Sequence, residues 1–313
     1  MSGIIEVEDL VKRYKKADAN AVDGVSFCVS AGEMFTLLGP NGAGKTTTIS
    51  ILTTTLSPTS GSVRIAGYDV VRQASVVRQR VGIIFQNPSL DTNLTAEENV
   101  RFHAVLYGLY PFRPAFFLMP GAYRRQVHEL AEVLGLQDDM FKPVRKFSGG
   151  MKRKLEIIRS LVHRPTVLFL DEPTLGLDPM SRRSLWEYLQ KVRRESGTTL
   201  FLTTHYLQEA EEADTICIIN KGKIISQGSP AQVKADLVQE YLLLDSADRE
   251  QLRAELLRQN LSFTETPLFK VSLDGHSPQQ IIKAIDAPLT VLKTHMPTLE
   301  DAYLAILGAT HEE

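Results

Sequence analysis

The stretch Gly39-Pro40-Asn41-Gly42-Ala43-Gly44-Lys45-Thr46, with Thr47 behind it, constrains this chain more than any other. It has the form G-x-x-x-x-G-K-[ST] and lies between an apolar run, Met34-Phe35-Thr36-Leu37-Leu38, that reads as a strand and Thr48-Ile49-Ser50-Ile51-Leu52, which reads as a helix. Its glycines let the backbone curl with N–H groups pointing inward, an anion nest at the positive end of a helix dipole. Lys45 is placed to reach β- and γ-phosphates, the Thr46 hydroxyl to ligate Mg²⁺, and Thr47 to add a second hydroxyl. The expectation is a site for a nucleoside triphosphate with its metal.

A second acidic element follows. Val167-Leu168-Phe169-Leu170 is an apolar strand that ends in Asp171-Glu172. Asp171 is expected to hold Mg²⁺ directly or through its water, and Glu172 to polarise the attacking water as general base. Thr199 to Thr204 reads as another buried strand and runs into His205, while Val81 to Phe85 runs into Gln86. Polar residues at the C-terminal ends of strands are where open α/β sheets place ligand contacts. Phe147-Ser148-Gly149-Gly150-Met151 opens a helix with Ser148 as N-cap. Taken singly, Ser148 is equally a plain helix cap, His205 a structural histidine, and Tyr14, which could stack on a purine, a strand-end surface aromatic. Lys152-Arg153-Lys154 with Arg159 reads as a solvated helix face.

Composition narrows the class. The 313 residues suit one large and one smaller domain, and the formal charge of −2 gives no electrostatic reason to expect nucleic acid as a partner. Cys28 and Cys217 are isolated on strand-like runs and read as reduced core residues. No apolar run approaches the roughly 18 residues that span a bilayer, and the N-terminus shows no signal-peptide pattern, so a membrane role is expected to go through a partner.

Along the chain, alternating strands (Ile4 to Leu10, Val25 to Val29) precede the α/β core. Helical periodicity takes over from Thr95 to about Gln137, interrupted by Tyr107 to Gly121, which is aromatic-rich and broken by three prolines. Beyond Gly228, strands near 241–244, 268–273 and 289–292 alternate with helices near 248–260, 278–286 and 299–307, a small α/β module without a catalytic cluster.

Together the phosphate loop, the acidic strand and Phe147-Ser148-Gly149-Gly150-Met151 between them resemble the nucleotide-binding domain of ATP-binding cassette (ABC) transporters over roughly residues 4–230. The resemblance implies an ABC-type P-loop NTPase of α/β class. It would comprise a RecA-like core, an antiparallel β subdomain and a helical subdomain at about 90–160, the whole occupying 1–232 and followed by a small α/β regulatory or dimerisation domain at 235–313. It implies that Tyr14 stacks on adenine, that Gln86 senses Mg²⁺ and couples to the transporter, and that His205 is the switch histidine. Gly176-Leu177-Asp178 matches the loop that faces a second cassette, with Gly176 where Ser is common, and Met151 stands where the signature usually has Gln. Further stretches, among them Gln86 to Asp91, Leu94 to Asn99, Thr203 to Tyr206 and Pro297 to Leu304, are similar to the drug-resistance (daunorubicin-type) export branch. The expected unit is two cassettes, as homodimer or paralogue heterodimer, with Ser148, Gly149 and Gly150 of one closing on the ATP held by the other. It would sit on the cytoplasmic face of the membrane against a separate transmembrane permease. The 107–121 segment is either a docking element for that subunit or a family-specific loop. An importer subunit and a cytosolic ABC ATPase acting on ribosomes or DNA are the alternatives.

Overall fold

Strands whose apolar residues alternate pack one face, and strands that are apolar throughout are covered on both; this chain uses the two kinds in separate sheets. The computed structural model describes residues 3–15, 17–85, 89–175, 177–237, 240–273, 275–295 and 298–308, and it divides into two units, Met1–Gln227 and Gly228–Glu313.

The first unit begins with β1 (Ile5–Lys12), β2 (Val22–Val29) and β3 (Met34–Leu38), then α1 (Lys45–Leu52), β4 (Ser60–Ile65), β5 (Tyr68–Asp69), α2 (Ala74–Arg80) and β6 (Val81–Ile84). A largely helical stretch follows: α3 (Ala96–Leu106), α4 (Gly121–Val133) and α5 (Gly149–Leu161). The unit finishes with β7 (Val167–Asp171), α6 (Pro179–Ser196), β8 (Thr199–Thr204), α7 (Leu207–Ala210), β9 (Thr215–Asn220) and β10 (Lys223–Gly228). An antiparallel sheet has the order β2-β1-β4-β5, and a six-stranded sheet the order β10-β9-β3-β8-β7-β6. In the latter, β6, β7, β8, β3 and β9 run parallel, so the C-terminal ends of β3, β8 and β7 lie side by side. Every residue of β3, β7 and β8 is buried, as the continuous apolar runs require.

Aromatic packing joins the two sheets. Phe27 of β2 stacks on Phe35 of β3 at 5.1 Å, Phe35 on Phe201 of β8 at 5.2 Å, and Phe201 meets Phe169 of β7 at 5.4 Å. Cys28, adjacent to Phe27 on β2, points the other way and is exposed, so only Cys217 is a core thiol. The period-2 alternation of the strand overrides the apolar look of the cysteine there.

Helix ends follow their caps. Thr95 and Glu98 form a reciprocal capping box at α3, Ser148 accepts from the Met151 N–H at α5, and Asp178 accepts from the Ser181 N–H at α6, where Pro179 takes a first-turn position. Between α3 and α4 the proline-broken segment forms a single short 3₁₀ turn, Phe116–Leu118.

The second unit comprises α8 (Pro230–Leu237), β11 (Tyr241–Ser246), α9 (Arg249–Arg258), β12 (Phe263–Glu265), β13 (Phe269–Ser272), α10 (Pro278–Lys283), β14 (Leu289–His295) and α11 (Leu299–Gly308). Its antiparallel sheet has the order β12-β13-β11-β14. With the chain order β-α-β-β-α-β this is a ferredoxin-like split βαβ arrangement. Its core is Leu242, Leu244, Phe269 and Val271 from the sheet against Leu252 and Leu256 of α9 and Ile281 of α10. The helices α8 and α11 pack on each other within the same unit.

Candidate active site

Where the C-terminal ends of β3, β7 and β8 meet, the chain assembles a phosphate loop, two carboxylates and a histidine. The loop cannot be built from larger residues. A Cβ on Gly39 would lie 2.3 Å from the Ile219 carbonyl oxygen, and one on Gly44, whose φ is 109°, would lie 2.5 Å from that of Ala21. Pro40, Asn41, Gly42 and Ala43 form the curl between them, and Gly44 is the N-cap of α1. Lys45 opens the helix with its side chain buried, its Nζ donating to the carbonyls of Gly39 (2.7 Å) and Pro40 (3.0 Å). Burial pulls its pKa down, and the charges of Glu172 and Asp171 push it back up, so the ammonium and both carboxylates share one field. Thr46 is exposed at the helix start, and the Thr47 hydroxyl is 3.4 Å from the hydroxyl of Tyr14, which is half exposed on the loop after β1.

The carboxylates are held by β8. The Thr203 hydroxyl donates to Asp171 Oδ1, and the Glu172 N–H donates to the Thr203 carbonyl oxygen at 3.0 Å. Burial raises the pKa of Asp171, the Thr203 bond opposing it. Glu172 sits in the left-handed region with φ 47°, a backbone state that non-glycine residues keep only where their surroundings enforce it. His205 Nδ1 lies 3.1 Å from Glu172 Oε1. Beneath it, buried Glu209 accepts from the hydroxyls of Thr174 and Thr204, fixing the turn into α7.

Thr46 and Asp171 offer hard oxygen donors. Among the described residues no cluster of three or more His, Cys, Asp or Glu forms a closed metal cage. That donor set fits Mg²⁺, which keeps waters and takes one or two protein oxygens together with substrate phosphates.

Two predicted groups lie elsewhere on the surface. Ser148 and Gly149 are exposed at the start of α5, and Asp178 is exposed at the start of α6. Hydrogen bonds from Ser181 hold the Asp178 carboxyl below the usual range. A Cβ on Gly150 would lie 3.6 Å from Leu177, so these two helix starts adjoin. Among the described residues no hydrogen bond joins them to the phosphate loop. Gln86, with Asn87 and Pro88, lies outside the described residues, as do Gly176 and Pro297.

Sequence reasoning missed Thr203, Glu209 and above all Arg153. The basic run on α5 is not a solvated face: Arg153 is 5% exposed, and its side chain reaches the carbonyls that follow β7. The available signal was Arg153, Glu156 and Ser160 at helical spacing on the face that also carries Ile157, a buried stripe with an internal ion pair.

The family model described as ABC transporter matches residues 22–175. The chain is 40% identical to the daunorubicin resistance ATP-binding protein DrrA3 of Streptomyces coeruleorubidus, over 74% of this chain and 70% of that one. It is 37% identical to the daunorubicin/doxorubicin resistance ATP-binding protein DrrA of Streptomyces peucetius (97% and 92% covered). It is 36% identical to the Nod factor export ATP-binding protein I of Ralstonia nicotianae (97% and 94%). Among solved structures, the ATP-binding subunit of an ABC transporter superposes with a TM-score of 0.66 at 31% identity, covering 74% of this chain and 92% of that one. A dimeric cassette in a post-hydrolysis state with ADP and Pi superposes with 0.64 at 26% identity, covering 72% and 98%.

Proposed function

The chain belongs to the ABC transporter family, and from that premise we propose that it is the ATP-hydrolysing subunit of an exporter, driving a drug, lipid or other hydrophobic compound through a separate transmembrane permease. The observation that carries the reading is the single field shared by Lys45, Asp171 and Glu172 at the strand ends, with His205 in contact with Glu172. Export, rather than import, is favoured by the drug-resistance and Nod factor export proteins that match nearly the whole chain.

Phosphoryl transfer asks a protein for positioning and charge neutralisation rather than covalent chemistry. On this reading the loop N–H groups and Lys45 receive the phosphates, Thr47 adds a hydroxyl and Tyr14 stacks on the adenine. Thr46 and Asp171 hold Mg²⁺ with Gln86, and when bound the metal neutralises charge on the phosphate oxygens. Glu172 takes the proton of the attacking water, and His205 orients Glu172 and the γ-phosphate. Ser148, Gly149, Gly150 and Asp178 belong to the other half of the site: they would close on the nucleotide of a second cassette, so hydrolysis depends on association. The second unit is assigned a regulatory or dimer-stabilising role. The chain is assigned to the cytoplasmic face of the membrane as a peripheral subunit; among the described residues no helix is long and apolar enough to cross a membrane.

The test is a mild-detergent pull-down of the tagged chain from its native membranes, followed by ATPase assay. A stoichiometric polytopic membrane protein, with hydrolysis lost in Glu172→Gln, is the expected result. A chain recovered alone or with ribosomes would overturn the export assignment.

A further inference from the structure

A guanidinium carries five N–H donors in a fixed fork, and Arg153 uses all of them. Its Nε donates to the Pro173 carbonyl (2.9 Å), its Nη2 to those of Asp171 and Glu172 (3.1 Å each), and its Nη1 to that of Phe85 and to Glu156 Oε2 (3.2 Å). The four carbonyls belong to two loops. Three are consecutive at the end of β7 and include both carboxylate-bearing residues; the fourth belongs to Phe85, which immediately precedes Gln86. The arginine comes from α5, the helix that Ser148 starts.

Ordinary packing does not call for this arrangement. Burying a guanidinium is expensive, and burial lowers the Arg153 pKa while Glu156 counteracts it. Arg153 meets that cost with contacts to backbone and to Glu156, around Glu172, a non-glycine residue held at φ 47°.

We propose that Arg153 is a positioning residue for hydrolysis. It fixes the peptide units on both sides of Glu172, and so makes the place of that carboxylate depend on α5 and on Phe85 directly after β6. A displacement of α5 when the Ser148 end is engaged is thereby delivered to Glu172 within the same subunit. The inference rests on the reading of Glu172 as general base and adds a mechanical input to it. Lysine keeps the charge with three donors on a single atom, so it cannot span both loops.

The experiment compares Arg153→Lys and Arg153→Met with Glu172→Gln in the full chain, measuring kcat, KM for MgATP and equilibrium ATP binding. Both Arg153 variants are expected to bind ATP as the parent does, with KM within about threefold, while kcat falls about 10²-fold, because a displacement of about 1 Å suffices for such a loss. Should Arg153→Met fail to fold, Arg153→Lys decides alone. Parent-like kcat in Arg153→Lys, or a kcat loss matched by an equal loss of ATP binding, overturns the positioning role. If Glu172→Gln also turns over at the parent rate, it is the base assignment that falls. If only Glu172→Gln is inactive, it is the clamp.

Discussion

His205 Nδ1 and Glu172 Oε1 are 3.1 Å apart, so the residue that follows β8 and the residue that follows β7 meet over the strand ends. The contact orients the carboxylate, and the turn beyond His205 is itself fixed by the Tyr206 N–H donating to Thr204 Oγ1 at 2.9 Å. Replacing Glu172 by Gln keeps the shape and removes the base, so hydrolysis should fall by at least about 10²-fold with ATP binding intact. His205→Ala should lower turnover by about 10²-fold as well, and the double variant should be little worse than either single one, because residues that act as a unit are not additive. Single-turnover hydrolysis beside equilibrium nucleotide binding checks this. Additive losses would separate the two roles.

Lys45 differs, because its ammonium is a binding group. Its Nζ rests on the carbonyls of Gly39 and Pro40 inside the loop, and phosphate is the acceptor these would exchange for. Lys45→Ala removes a charge-assisted hydrogen bond, worth about 1.5–3 kcal/mol, so ATP affinity should drop about 10- to 100-fold. Titration with a fluorescent ATP analogue measures it, and an unchanged Kd would remove Lys45 from phosphate contact.

Two histidines predict a pH dependence of stability. His163 Nε2 lies 2.9 Å from the Val81 carbonyl oxygen, and His163 Nδ1 and His103 Nε2 are buried without hydrogen-bond partners among the described residues. Burial, reinforced by the Arg159 charge, pushes His103 down to about 3, and burial lowers His163 as well, against the Val81 bond. In the unfolded chain both titrate near 6.5, so below that pH the unfolded state binds more protons and folding weakens. His103, kept neutral in the folded chain, should cost about 1.4 kcal/mol of stability per pH unit below 6.5, with His163 acting in the same direction and no dependence from these groups above about pH 7.5. His103→Phe retains a ring against Tyr107, 4.3 Å away, and should flatten the loss between pH 6.5 and 5 in urea titrations. An unchanged slope would mean that His103 does not report this burial.

The site and the fold were legible to different depths. The phosphate loop and the acidic strand end read directly because each is one continuous stretch whose chemistry depends on its own backbone. The cap Ser148 read for the same reason, whereas the capping box of Thr95 and Glu98 was seen only in the fold. The decisive partners of Arg153, Thr203 and Glu209 lie 18 to 68 positions away in sequence, so only the folded sheet makes them visible. A basic residue in a K-R-K run has solvent as its default environment, and nothing local signals four carbonyls converging on it. Cys28 was misread although the alternation of β2 already faced it outward. The second unit read as strands and helices, but its split βαβ order depends on strand pairing that local periodicity does not encode.

The helical stretch carries its own buried ion pair. Arg101 Nε is 3.0 and 3.1 Å from the two Glu97 oxygens, with the side chains 4% and 3% exposed. The Tyr123 hydroxyl donates to Glu97 at 3.2 Å, and Arg101 Nη1 donates to the Arg113 carbonyl at 2.6 Å, tying the aromatic segment to α3. Burial raises the Glu97 pKa, and the Arg101 charge, with the Tyr123 hydroxyl, opposes the shift. Arg101→Met should therefore destabilise by about 3–5 kcal/mol, the cost of an unpaired buried charge, whereas Tyr123→Phe, which leaves the pair intact, should cost about 1 kcal/mol. Because much of the first loss comes from the stranded carboxylate rather than from the bond, adding Glu97→Leu to Arg101→Met should restore a large part of it. Urea unfolding of the full chain measures them all. If the double variant is as unstable as the summed losses of Arg101→Met and Glu97→Leu measured singly, the two side chains are uncoupled and the charge-burial account of this helix fails.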